Sequence, residues 1–307
     1  MARPVVILGV FVADTAYRAG RMPRLGETVL GESFVLGPGG KGSNQAVAAA
    51  RAGADVHFLS RLGVDDFAAL ARATWAGAGV TPVITDDPDS YTGAAFIFIE
   101  AASGNNAIII SPGAAARISA ADMDANAALI RSAGVFVTQL EQPLPAAMRA
   151  LQIAREAGVT TILNPAPAAE LPEGMLALCD IVTPNESEAE SLTGLPVGGV
   201  AQAEAAARAL IAQGARSAII TLGENGALWC DGGAAVHVPA FRAGPVVETT
   251  GAGDAFNGAL ATALAEGMDP VAATRFGAAC AAISVTRPGT APSMPARAEI
   301  DALLAGG

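Results

Sequence analysis

The sequence predicts an α/β fold: a doubly wound, mostly parallel sheet with helices on both faces and a small β-sheet lid. Strand-like apolar runs alternate with alanine-rich helical runs along nearly the whole chain, the pattern of βαβ repetition. The first run, Val5–Phe11 (VVILGVF), is apolar throughout instead of alternating, as expected of a strand covered on both faces. One segment, near residues 92–112, carries a hairpin pattern that breaks this rhythm.

After Val5–Phe11, Ser43–Arg51 reads as an alanine-rich helix closed by Gly53, and Val56–Ser60 as the next strand. Val135–Gln139 is a strand, Pro145–Glu156 a helix stopped by Gly158, and Thr160–Leu163 a strand. Ala203–Gln213 is a helix capped by Gly214, followed by the strand Ala218–Thr221. Gly253–Glu266 and Pro270–Val285 are two long helices near the end. In the hairpin, Ala95–Glu100 and Ala107–Ile110 flank a polar turn at residues 103–106. With the stretch around Glu27–Leu36 it can form a separate small sheet, either a lid over a cleft or a simple edge hairpin. With no linker, repeat or low-complexity stretch, 307 residues make one domain, 1–307, with lid segments at about 12–37 and 92–112.

Composition narrows the function classes. The chain is 52% hydrophobic but only 5% aromatic, and it has no apolar run long enough to span a bilayer. Pro4–Ala13 has the apolarity of a signal-peptide core. Arg3 is its only charged flank, however, and Asp14 follows with no cleavage site, so it is read as a buried strand of a cytoplasmic protein. A net charge of −11 argues against nucleic acid or an anionic membrane as partner. An anionic nucleotide would then need local devices: helix N-termini, glycine amides and a divalent cation. Cys179, Cys230 and Cys280 lie far apart without a CxxC pair, and read as reduced packing residues. His57 and His237 sit in alternating strand-like stretches, which disfavours a histidine zinc site or a Ser-His-Asp triad.

Four motifs carry chemistry. In Glu248–Phe256 (ETTGAGDAF) a β-prone segment, Pro245–Val247, runs into a small-residue turn, and a long helix starts at about Gly253. Small residues there let backbone N–H groups approach an anion. Asp254, in the first turn, is placed to take a proton from an attacking hydroxyl, or else is a favourable first-turn charge. The segment Gly37–Asn44 (GPGGKGSN) is not a Walker A loop, because Gly42 separates Lys41 from Ser43, and it lacks the spacing of a dinucleotide fingerprint. It offers a tight turn with exposed amides, plus Lys41 and Asn44 for a polyhydroxylated ligand. Thr183–Glu188 (TPNESE) places carboxylates at a helix start, either to hold hydrated Mg2+ or as a capping arrangement. Thr221–Gly226 (TLGENG) is a strand and glycine turn able to take a nucleotide edge.

These segments occur in the order and approximate spacing of the ribokinase (PfkB) family of carbohydrate kinases, which the chain resembles over essentially its whole length. Gly40–Ala46 (GKGSNQA) and Val285–Gly289 (VTRPG) resemble the ribokinase branch in particular. The resemblance implies a ribokinase-like doubly wound domain with a β-sheet lid, a homodimer through that lid, and MgATP as donor to a small sugar. By motif match it implies Asp254 as base, with Gly251, Ala252 and Gly253 as the anion hole. It implies Asp14, Gly40, Lys41, Asn44 and Glu141 as sugar ligands. Asn185, Thr221, Gly223, Gly226 and Gly253 would lie along the nucleotide, and Glu188 would act on Mg2+ through water. A K+ site would draw on Glu248, Thr250, Ser284, Arg287, Gly289 and Ser293.

Two positions depart from that pattern. Val12 stands where Asn precedes the sugar-binding Asp by two residues, which removes one polar contact and puts ribose itself in question. Glu248 stands where the motif begins with Asp. The expected activity is phosphorylation of a hydroxymethyl group, ribose to ribose 5-phosphate first. The alternatives are a kinase for another pentose, a ketose or a nucleoside, and a sugar- or nucleotide-binding protein without catalysis. A dehydrogenase is disfavoured because GxGxxG does not follow the first strand.

Overall fold

In a computed structural model, which describes residues 3–306, the chain begins β1 (Val5–Leu8), β2 (Val12–Ala19), β3 (Ser33–Gly39), α1 (Lys41–Arg51), β4 (Val56–Leu62), α2 (Asp66–Ala78), β5 (Thr81–Asp86), β6 (Thr92–Glu100) and β7 (Asn106–Gly113). It continues α3 (Ala120–Ala125), α4 (Ala127–Ser132), β8 (Val135–Thr138), α5 (Leu144–Glu156), β9 (Thr160–Leu163), β10 (Ile181–Val182), α6 (Glu186–Thr193), α7 (Val200–Ala212) and β11 (Ser217–Thr221). It ends β12 (Ala227–Cys230), β13 (Ala235–Val238), α8 (Ala252–Ala265), α9 (Pro270–Ser284) and α10 (Arg297–Gly306).

The large sheet has the order β13-β12-β11-β10-β9-β8-β1-β4-β5 and is parallel except for β12 and β13, an antiparallel hairpin at one edge. β1 pairs with both β4 and β8, so the chain winds outward in two directions from that pair. In an open α/β sheet, such a reversal leaves a crevice outside the carboxyl ends of the strands. The side chains of β1 divide between two hydrophobic clusters, Val5 and Ile7 on one face, Val6 and Leu8 on the other. That two-sided burial is why the run is apolar without alternation.

Three expectations change. The run Val5–Phe11 is not one strand: β1 stops at Leu8, and β2 starts at Val12 in the other sheet. A Cβ on Gly9 would stand 2.6 Å from Gly42 Cα and 2.6 Å from Gln139 Oε1, so the strand ends where the start of α1 packs on its backbone. The β-prone segment Pro245–Val247 is irregular and half exposed, with its Val247 N–H bonded to the Val285 carbonyl. Of the stretch Glu27–Leu36, only the part from Ser33 onward forms a strand. The edge hairpin β12–β13 was not foreseen.

The second sheet has the order β3-β2-β6-β7. The predicted hairpin forms within it, with Ala95 opposite Ile110 and Ile99 opposite Asn106. β2 joins β6 in parallel and β3 antiparallel, and the sheet roots at both ends near α1, through residues 9–11 and through Gly40. α1 and α8 cross beneath this root. A Cβ on Gly258 would stand 2.4 Å from the Gln45 carbonyl oxygen and 2.6 Å from Ala48 Cβ, so the two helices touch backbone to side chain.

Candidate functional site

The sugar-side motif folds around α1. Gly40 has φ 90°, and a Cβ there would stand 2.4 Å from the Val10 carbonyl oxygen; the turn into α1 therefore requires glycine. Gly39 is equally confined, since a Cβ on it would fall 2.2 Å from Asp14 Oδ2, and the Asp14 carboxylate lies over this loop. Glu141, just beyond β8, accepts a hydrogen bond from the Lys41 backbone N–H at 2.7 Å. Burial pushes the Asp14 carboxyl up to about 6 and the Glu141 carboxyl up to about 7, and the charges of Asp254 and Asp14 add to the second shift. Asn44 donates to Asp254, and its own Oδ1 is buried with no partner among the described residues. A buried acceptor of this kind is an open place for a ligand hydroxyl.

The phosphate-side motif forms the start of α8, with Gly251 as its N-cap at φ 82°. The backbone N–H groups of Gly251, Gly253 and Asp254 have no partner among the described residues, whereas that of Ala252 donates to the Thr249 carbonyl at 3.2 Å. Three open amides at the positive end of a helix make an anion cradle, and Ala252 contributes its small size to it. Asp254 is only 6% exposed. Its Oδ2 accepts from Asn44 Nδ2 at 3.0 Å and its Oδ1 from Gln45 Nε2 at 3.1 Å. Burial raises the affinity of this carboxyl for a proton, while the Lys41 charge and the two amides oppose the rise.

Asn185 caps α6 and forms a capping box with Glu188: the Glu188 N–H donates to Asn185 Oδ1, and the Asn185 N–H to Glu188 Oε2, both at 2.9 Å. The capping role is therefore real, yet Glu188 also faces an open cleft. Lys41, Asn185, Glu188, Thr221, Gly251, Gly253 and Asp254 line this cleft together, drawn from four separate segments. Gly223 and Gly226 lie in the turn beyond β11, outside that lining. The residues expected for K+ come from two adjoining loops. Glu248 Oε2 accepts from the Gly289 N–H at 2.8 Å, and the Glu248 N–H donates to the Val285 carbonyl at 3.2 Å. The hydroxyls of Ser284 and Ser293 each donate to a local carbonyl, those of Ala281 and Thr290, and the Arg287 guanidinium pairs with Glu299. Thr250 follows Glu248 in the turn before Gly251. Among the described residues no cluster of three His, Cys, Asp or Glu side chains is arranged to hold a metal, so Mg2+ would depend on phosphate oxygens and water.

The cleft also contains Asn164, Thr183 and Asn257, and behind it lie Gln45 and Gln139, none of which was singled out for a role from sequence. A signal was present for two of them: Gln139 and Asn164 are polar residues directly after apolar strands, VFVT and TIL, at the carboxyl ends where this fold places ligands.

This architecture, a doubly wound sheet whose strand ends face a helix-start anion cradle and a buried carboxylate, defines a phosphoryl-transfer enzyme of the carbohydrate-kinase type. Residues 4–297 match the pfkB family of carbohydrate kinases, and the chain belongs to that family. It is similar to the ribokinase of Haemophilus influenzae (39% identity over 97% of each chain) and to the deoxyribokinase of Salmonella typhi (39% identity over 95% of each). The fold matches that of an Arabidopsis thaliana ribokinase complexed with ribose and ATP, with a TM-score of 0.95, 32% identity and 99% of both chains covered.

The raised carboxyls set a pH dependence of stability in the absence of ligand. Asp14 and Glu141 bind protons more tightly folded than unfolded, where their values are 3.8 and 4.5. Their contribution is fully present below about pH 4 and is lost as pH rises through about 6 and 7. Depressed carboxyls such as Asp65 and Asp122 finish ionising below this window. Urea denaturation should therefore show stability falling from about pH 5 to about pH 7.5, and Glu141→Gln should flatten the fall. An equal slope in the variant would place the titrating group elsewhere.

Proposed function

We propose that this sugar kinase transfers the γ-phosphoryl group of ATP to the hydroxymethyl group of a small sugar, ribose first, giving ribose 5-phosphate. One observation carries the reading: the buried Asp254 carboxylate stands within the first turn of α8, beside the open amides of Gly251 and Gly253 and facing the cleft. In this mechanism Asp14, Lys41, Asn44 and Glu141, with the Gly40 backbone, hold the sugar hydroxyls. Asp254 takes the proton as the hydroxyl oxygen forms its bond to phosphorus and the bridging oxygen to ADP leaves in line. The cradle amides and the Lys41 charge stabilise the negative charge on the transferring group. Asn185, Thr221, Gly223 and Gly226 lie along the nucleotide, and Glu188 would hold Mg2+ through water, which would supply charge neutralisation of the phosphates when bound. The second, small sheet is the lid that excludes water. Glu248, Thr250, Ser284, Arg287, Gly289 and Ser293 would hold K+ beside the cradle, several of them through backbone carbonyls.

In an ADP-release assay Asp254→Asn should lose about 10²–10⁴-fold in kcat with both substrates still bound. The wild type should run faster in K+ than in tetramethylammonium at equal ionic strength. A variant keeping a tenth of kcat would remove the base, and equal rates in the two salts would remove the cation site.

Val12 bears on which sugar is taken. It shares a face of β2 with Asp14, is 5% exposed, and packs in a hydrophobic cluster with Ala95 and Leu140. A ligand hydroxyl buried there without a partner costs about 1–3 kcal/mol, about ten- to a hundredfold in affinity. That cost favours a sugar lacking the hydroxyl, and relatives equally similar to this chain are named for ribose and for deoxyribose. In a panel of pentoses, ketoses and nucleosides, Val12→Asn should improve ribose relative to 2-deoxyribose. An unchanged ratio would leave Val12 without a part in selection.

We extend the proposal to a cytoplasmic enzyme that acts as a homodimer. No helix among the described residues is long and apolar enough to cross a membrane. The lid strands β3 and β7 expose Phe34, Leu36 and Ile109 on one face of the small sheet and Val35, Ile108 and Ile110 on the other, and the first of these is an apolar surface suited to the same surface of a second copy. Light scattering should give the mass of two chains, and Ile109→Lys should give one; a monomeric wild type would exclude the dimer.

A further inference from the structure

Gln45 is fully buried in α1, as are the apolar side chains of Ala46, Val47, Ala48 and Ala49. Its amide instead joins six polar groups into one belt. Gln45 Oε1 accepts from Gln139 Nε2 at 2.6 Å. Gln45 Nε2 donates one hydrogen to Asp254 Oδ1 and the other to Asn164 Oδ1, both at 3.1 Å. Asn164 Nδ2 donates to the Thr183 carbonyl at 3.0 Å, and the Thr183 hydroxyl to Asn257 Oδ1 at 2.6 Å. Asn257 Nδ2 closes the belt on the Gly253 carbonyl at 2.8 Å, inside the anion cradle. An ionised carboxylate only accepts hydrogen bonds, so the nitrogen of Gln45 must face Asp254. Flipping the amide would set oxygen against two oxygens and nitrogen against the Gln139 donor. The orientation is thus locked from three sides.

We propose that Gln45 is a positioning residue for the phosphoryl transfer: its amide keeps the Asp254 carboxylate ionised and aimed into the cleft, and ties it to the anion cradle through Asn164, Thr183 and Asn257. This rests on the reading of Asp254 as the base. The charges that act on or near Asp254 are Lys41 from α1, Glu141 beyond β8 and Glu188 from α6. β1 and β8 carry no titratable side chain. On α9, Arg275 stacks on Phe241, and the charges felt by Cys280 are those of Arg287 and Glu299. Lys41 and the two amides therefore oppose the burial of the carboxylate, and of these only the amides touch it.

Gln45→Leu keeps the volume and removes both donors. A hydrogen bond to a charged group corresponds to about one to two pH units, so the acid limb of kcat should move up by that amount. Raising the pH should recover most of the lost kcat, with KM for MgATP changed less than about threefold. Gln139→Met, which leaves Gln45 in place but unlocks its amide, should give a smaller shift in the same direction, and decides the matter if the leucine variant does not fold. A kcat reduced equally at every pH in the folded variants would make Gln45 merely structural and overturn the proposal. Asp254→Asn separates the two readings. Inactivity at all pH values with an unmoved acid limb in the glutamine variants rejects Gln45 alone, whereas an active asparagine variant rejects the base and Gln45 together.

Discussion

α1 and α8 meet at Gly258, whose backbone lies against the Gln45 carbonyl and Ala48 Cβ, and the hydrogen bonds from α1 to Asp254 depend on that approach. A methyl group at this position would press on the Gln45 carbonyl and on Ala48. Because the helices are this close, Asn44 and Gln45 reach across 210 and 209 residues of sequence to the two oxygens of Asp254. The Thr262 hydroxyl repeats the link one turn further on, donating to the Ala49 carbonyl at 3.2 Å. A separation larger by one side chain would leave the carboxylate buried without donors, the costliest state for a charged group.

The electrostatics of the cleft follow from its depth. An acidic chain has gathered Asp14, Glu141, Glu188 and Asp254 around one space, and burial raises all four carboxyls above their ordinary values. Lys41 is the cation that acts on three of them: Glu141, Glu188 and Asp254. Hydroxyl donors on a ligand suit the sugar side, where acceptors crowd. The start of α8 offers open backbone amides, which supply positive potential without adding a side-chain charge.

The two sides are also joined mechanically. The Thr290 hydroxyl donates to the Pro38 carbonyl at 2.9 Å, linking the loop beside the cradle to the end of β3 in the small sheet. The same threonine packs on Gly251, where a Cβ would be 3.3 Å from its side chain.

The sequence by itself determined the two-faced sheet, because a strand covered on both sides must be apolar at every position, as Val5–Leu8 is. It determined the turn at Gly40 and the start of α8 near Gly253, because tight backbone approaches admit only small residues, although Gly37–Gly39, expected in that turn, extend β3. It also pointed to Asp254 through the small-residue turn that precedes it. Only the tertiary structure decided where the first run breaks, since Gly9 is an ordinary glycine until the start of α1 packs against it. The same holds for Pro245–Val247, whose β-prone residues find no neighbouring strand to pair with. Gln45 and Asn257 could not be assigned from sequence for a similar reason. Their importance lies in which acceptor each amide faces, and that is fixed by helices and strands brought together from distant parts of the chain.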